Sequence, residues 1–138
     1  MTNKEENMHQ NIEIISDAVD LSGRDAFALS HAIRRGRNLY ISGQVPRDQA
    51  NNLVGENDLE TQCVQVYENI KSIVEAAGGG MADIVDTLVI VTDNSYKSVH
   101  TAVRKRYFES PYPACTTIIA GLSPGYMIEI NAVAILTD

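Results

Sequence analysis

The sequence predicts an α+β domain: a mixed β-sheet with two helices on one face, in the chain order ββαβαββ. Three observations carry this. Two segments repeat apolar side chains at three- and four-residue steps, the spacing of one helix face. Five others are short, β-branched or aromatic-rich runs bounded by Gly, Pro, Asn or Asp. The two kinds of segment follow one another so that packing helices against one sheet face is the natural two-layer solution.

The chain opens on MTNKEENMHQ, polar and acidic, with neither the apolar core of a signal peptide nor an Arg-rich transit pattern. Residues 1–12 are expected to form a flexible tail, and 13–138 a single domain. FALSHAIRRGRNLYISGQVP (27–46) reads as two strands joined by a turn around Arg35–Asn38, and GQVPRDQANNLVG (43–55) is loop by composition. Asn57 followed by Glu60 fits a capping box. Leu59, Cys63, Val66, Ile70, Ile73, Val74 and Ala77 then form a helical stripe, which Gly78–Gly80 terminates. Cys63 lies on that stripe and reads as a buried filler.

IVDTLVIVTD (84–93) is the next strand, and a second helix is expected to begin near Ser95, with Tyr96, Val99, Val103 and Tyr107 on one face. CTTIIAGL (115–122) and MIEINAVAIL (127–136) close the chain as two strands about a Ser123-Pro124-Gly125 turn. With both helices on one face, the other sheet face needs a cover, and self-association is the simplest one.

A formal net charge of −7 repels phosphate backbones, so nucleic acid is not an expected partner. Two basic clusters, Arg34/Arg35/Arg37 and Arg104/Lys105/Arg106, read as a turn and a solvated helix face. No run approaches the ~18–20 apolar residues of a membrane span. Cys63 and Cys115 show neither metal spacing nor a disulfide framework, which suits a reducing cytoplasm. There is no phosphate-cradling glycine motif and no nucleophile elbow, and His9, His31 and His100 are scattered. No metal or organic cofactor is expected.

LYISGQVP (39–46), YENIKSIVEAAG (67–78), DIVDTLVIVTD (83–93), YPACTTI (112–118) and IEINAVAI (128–135) together resemble the Rid family, also called YjgF/YER057c/UK114, over roughly residues 25–137. The resemblance implies a chorismate-mutase-like fold. It also implies a homotrimer whose sheets form an inner barrel, with small-molecule clefts at the subunit interfaces. The best-known members hydrolyse enamines and imines such as 2-aminoacrylate or 2-iminopropanoate to keto acids and ammonia, without a cofactor.

Carried onto this chain, the family's water-positioning glutamate matches Glu129, and the Ser42-Gly43-Gln44 strand end is retained, so that the Gly43 backbone would line the cleft. Thr117 would add a further backbone contact. The arginine of the family's Pro-Ala-Arg motif clamps the substrate carboxylate through two parallel charge-assisted hydrogen bonds. Here Pro113-Ala114-Cys115 offers a neutral thiol in its place. A cleft tyrosine aligns with Leu29, and a helix asparagine with Thr101, or with His100 if the helix register slips. Losing such a clamp typically costs ~2–5 kcal/mol of binding. Either the substrate lacks that carboxylate or another cation holds it, with Arg34, Arg35, Arg37 and Arg104 as nominal substitutes.

Cys115 reads either as a small apolar occupant of a strand start or as a nucleophile, with His31 as the group that would activate it. Glu129 reads either as an interface carboxylate or as the group that handles water. The expected function is a Rid-type hydrolytic deaminase acting on an imine, enamine or related C–N compound other than the usual 2-imino acids. The alternative is a non-catalytic trimer that binds a small metabolite or acts as a scaffold.

Overall fold

The computed structural model describes residues 8–137, so most of the expected 1–12 tail lies outside the described residues. Ile12 and Glu13 form a short edge strand, β1, opposite Arg34 and Ile33, and Gly23–Ala26 make one helical turn, α1. Neither was anticipated. Each is too short to carry a periodic signal.

The expected hairpin follows. β2 (Ala32–Arg35) and β3 (Asn38–Gln44) pair antiparallel, with Arg35 opposite Asn38. Gly36 takes φ +61° at the turn, as two-residue hairpin loops require.

Helix α2 spans Leu59–Ala76. Its cap is Asp58 rather than an Asn57–Glu60 box: Asp58 accepts from Thr61 N (3.2 Å) and Thr61 Oγ1 (2.7 Å). Asn57 falls one residue too early, in the preceding turn at φ +56°. At the other end Gly78 N donates to Glu75 O and Gly79 N to Val74 O, both at 2.9 Å, with Gly78 at φ +89°. That is a Schellman termination, and only glycine enters it without strain. Cys63, Val66, Tyr67, Ile70 and Ile73 on the inner face are fully buried. Each aliphatic side chain so buried contributes about 1.5–3 kcal/mol, so packing holds this helix more than propensity does.

β4 (Ile84–Val91) leads through a 3₁₀ turn at Asn94–Tyr96 into helix α3, Lys97–Tyr107. The buried stripe of α3 is rotated by one residue from expectation. Val99 is exposed, while His100, Val103 and Arg104 are buried. The two polar residues turn inward because Tyr67 of α2 supplies partners for both.

β5 (Ala114–Ile119) pairs in parallel with β4, α3 being the crossover, and β6 (Ile128–Ile135) inserts between β3 and β4. The sheet order is therefore β1-β2-β3-β6-β4-β5. Alternation along β6 sends Ile128, Ile130, Ala132 and Ala134 into the core beneath the helices. The opposite face presents Tyr40, Ile118 and Ile135, each still substantially exposed. It is the face for which the sequence asks a cover.

Candidate functional site

The candidate residues fall into two clefts on opposite faces of the sheet. Register decides this. Cys115 stands beside Thr87, which stands beside Ala132, and Thr87 and Ala132 face the helices. Glu129 is three residues from Ala132 on β6 and so points the other way.

The first cleft, about 610 Å³, is lined by Leu29, His31, Gly43, Arg47, Tyr126 and Glu129 among others. Glu129 is half-buried and rests on the β3 backbone: a Cβ at Gly43 would lie 2.8 Å from its Oε2. The β3–β6 register shifts between Ile41 and Gln44, the stretch that holds Gly43. Burial alone raises the Glu129 pKa, with neither a charged neighbour nor a hydrogen bond contributing. Gln44 Nε2 donates to Ser42 O at 3.2 Å and is hydrogen-bonded to His31 Nδ1 at 3.2 Å. Ser42 Oγ donates to Ser30 O at 2.6 Å, tying the 29–31 segment to β3.

Arg47, which sequence reasoning passed over as loop, also enters this cleft. Its Nε donates to the Tyr126 hydroxyl (2.5 Å), its Nη1 to Asn51 O (2.7 Å), and its guanidinium lies 5.4 Å from the Tyr126 ring centre. The only available signal was its place at the end of β3, just after Val45-Pro46.

The second cleft, about 320 Å³, lies between α3 and β5 and is lined by His100, Thr101, Arg104, Cys115 and Thr117, with Lys105 and Tyr112 at its sides. The exposed Cys115 thiol lies 3.9 Å from Thr117 Oγ1. Arg104 is 8% exposed. It donates from Nη1 to Thr87 Oγ1 (2.9 Å) and Tyr67 OH (3.4 Å), and from Nη2 to Pro113 O (3.1 Å). The Phe108 ring packs 5.0 Å from the guanidinium. His100 is hydrogen-bonded to Tyr67 OH at 2.6 Å, and burial, helped by the Arg104 charge, pulls its pKa down to about 4. Thr101, the residue aligned with the family's asparagine, is exposed and bonds its own helix at Lys97 O.

Leu29, His31, Gly43 and Glu129 are thus brought together, as are Thr101, Cys115 and Thr117, but the two sets do not meet within one chain. The Cys115–His31 pair considered from sequence does not form there, because the two residues line different clefts. Arg34, Arg35 and Arg37 are spent at the β2–β3 turn, on Gly36 O and Ala77 O, on Asn11 Oδ1, and on Leu136 O respectively. Arg104, from the cluster expected to be solvated, is the one that lines a cleft. Among the described residues no three His, Cys, Asp or Glu side chains converge to hold a metal ion.

The family description "Endoribonuclease L-PSP" matches residues 23–136. A RutC family protein from Sulfurisphaera tokodaii is 35% identical over 105 residues, covering 75% of this chain and 84% of that one. A 2-iminobutanoate/2-iminopropanoate deaminase from Dermatophagoides farinae is 28% identical over 109 residues, covering 78% and 84%. The crystal structure of RidA from an Antarctic Psychrobacter superposes with a TM-score of 0.82 at 33% identity, over 91% of this chain and 99% of that one.

Proposed function

Because the chain belongs to the endoribonuclease L-PSP family, the YjgF/Rid family, we propose that it is a hydrolytic deaminase of a small imine, enamine or related C–N compound, with Glu129 positioning the attacking water. The observation that carries this reading is Glu129 itself. A half-buried carboxylate of raised pKa, laid on the Gly43 backbone and facing a cleft, is suited to exchanging a proton with water. The mite relative, named as a 2-iminobutanoate/2-iminopropanoate deaminase, supports the reaction class.

In the proposed reaction Glu129 takes a proton from water as the oxygen bonds to the imine carbon. That proton is delivered to the nitrogen to give a neutral carbinolamine, whose hydroxyl proton then passes to the nitrogen, again by way of Glu129, as the C–N bond breaks and a carbonyl compound and ammonia leave. One water is consumed and no electrons are exchanged. Gly43 and Thr117 would supply cleft backbone contacts, and Leu29 and Cys115 would shape a more apolar pocket. The candidate residues lie on two faces, and the apolar outer face includes a half-exposed Tyr40. Both features support a homotrimer in which the first cleft of one copy adjoins the second cleft of its neighbour. Among the described residues no helix is long and apolar enough to cross a membrane; the cytoplasm is the proposed location.

The test is ammonia release from a panel of imines generated in situ. Glu129→Ala should lower the rate by about 10²-fold or more. Identical rates for the two proteins across the panel overturn the reading.

The thiol at position 115 favours a second reading, a trimer that binds a metabolite or serves as a scaffold without turnover. Cys115→Arg separates the two. Gain of 2-iminopropanoate deamination would mean that the hydrolytic apparatus is intact and only recognition has changed. Ribonuclease activity, which the family description names, is opposed by the net charge of −7.

A further inference from the structure

The second cleft holds a charge that nothing described neutralises. Its lining includes two cations, Arg104 and Lys105, and no carboxylate, in a chain whose net charge is −7. Lys105 is exposed, but Arg104 is more than nine-tenths buried. Among the described residues its partners are all neutral: a hydroxyl, a phenol and a backbone carbonyl. Three of its five N–H groups are thereby used, leaving those on Nε and on the second position of Nη2. The neighbouring His100 adds no positive charge near neutral pH, since its pKa falls to about 4. A buried guanidinium is held at a cost that an opposite charge relieves, and none of the described ion pairs involves it.

We propose that Arg104 is the substrate-binding cation of this protein: the carboxylate of a small acid enters the α3–β5 cleft past Cys115 and is held by the free edge of the Arg104 guanidinium. Helix α3 thus takes over from strand β5 the recognition that a side chain at position 115 would otherwise supply. The small thiol at 115 keeps the entrance open. Thr87 and Pro113 O fix the plane of the fork, and Phe108 packs beside it. The cavity of about 320 Å³ suits a small ligand and leaves little room for a polyanion. The substrate class of the proposed deaminase is thereby narrowed to compounds that carry an acid group, held from a different direction than the Pro-Ala-Arg clamp would hold it. The inference rests on that function for the identity of the substrate, but is tested by equilibrium binding without turnover.

The experiment titrates the protein with 2-oxobutanoate and 4-oxopentanoate, each beside its primary amide, followed by ligand-observed NMR. At least one acid should bind tens-fold more tightly than its amide. Arg104→Gln should abolish that preference and Arg104→Lys retain part of it. Should the Arg104 variants fail to fold, Cys115→Phe decides, because it closes the entrance at an exposed position and leaves the Arg104 hydrogen bonds in place; it should abolish acid binding. Equal binding of acids and amides by the wild type overturns the inference, as does an acid preference that survives Arg104→Gln or Cys115→Phe. Loss of the deaminase reading would appear separately, as ammonia release unaffected by Glu129→Ala.

Discussion

Glu129 lies flat against Gly43: a Cβ on that glycine would come within 2.8 Å of Oε2 and 2.9 Å of Cδ. The missing side chain at position 43 is what gives the carboxylate its place. Gly43 is not in the left-handed region, and the three atoms nearest to an added Cβ all belong to the Glu129 side chain, so the closest conflict falls there. Gly43→Ala should therefore fold with a Tm close to wild type while swinging the carboxylate out of position. A displacement of about 1 Å at a reacting group can cost ~10²-fold, and the loss should appear in kcat for ammonia release. An unchanged kcat would separate Glu129 from the chemistry.

The same carboxylate should weaken the fold when ionised. Its folded-state pKa is raised by burial, so the stability it contributes is present when it is protonated and is lost as pH rises through the raised value. Glu129→Gln removes that loss. Thermal melts should find the variant at least as stable as wild type at pH 8, with the difference closing toward pH 4. A variant that is less stable at pH 8 and equal at pH 4 would mean that the ionised carboxylate has a favourable partner.

Where a side chain's role follows from local spacing, the sequence was sufficient. The α2 stripe, its glycine stop, the hairpin at Gly36 and the alternation that turns Glu129 away from the core all follow from periodicity and turn chemistry. Strand order did not follow, because nothing local says that β6 enters between β3 and β4. Without that register, nothing in the sequence says that Cys115 and Glu129 face opposite sides of the sheet within one chain. The basic run 104–106 misled for another reason. Read as a block it is solvated, but successive helical residues diverge, and Arg104 turns inward while Lys105 and Arg106 turn out, Arg106 pairing with Glu60. A buried charge is invisible to hydropathy when its partners come from Tyr67, Thr87 and Pro113, distant in sequence.

The two thiols should react very differently. Cys115 is exposed, while Cys63 is fully buried with its pKa pushed up to about 12, first by burial and then by the nearby Glu60 charge. A thiol-reactive reagent at pH 8 should modify one cysteine per native chain, identified by peptide mapping as Cys115, and the second only after denaturation. Rapid native labelling of Cys63 would contradict the packing of α2 against the sheet. If Cys115 were an activated nucleophile, its alkylation rate would already be high at pH 6 and change little up to pH 8; a rate that is low at pH 6 and climbs steadily to pH 8 assigns it to shaping the cleft.

His100 should set the acid side of the stability profile. Its pKa falls from 6.5 unfolded to about 4 folded, mainly through burial and secondarily through the Arg104 charge. The unfolded chain therefore binds the extra proton first, and the stability that the neutral ring contributes is complete above pH 6.5 and lost as pH falls toward 4. At about 1.4 kcal/mol per unit this loss is on the order of 3 kcal/mol. Other groups titrate in distinguishable ways. Asp48, Asp58 and Asp93 have lowered values and lose their contributions only below about 3.8, while Glu129 changes stability with the opposite sign. His100→Gln keeps a hydrogen-bonding group toward Tyr67 and removes the titration. Denaturant melts between pH 4 and 7 should show a steep decline for wild type and a shallower one for the variant, even if the variant is less stable at pH 7 because the ring stacked on Tyr67 is gone. Parallel slopes would mean that His100 takes up its proton equally in the folded and unfolded chain, so that neither burial nor the Arg104 charge lowers its pKa.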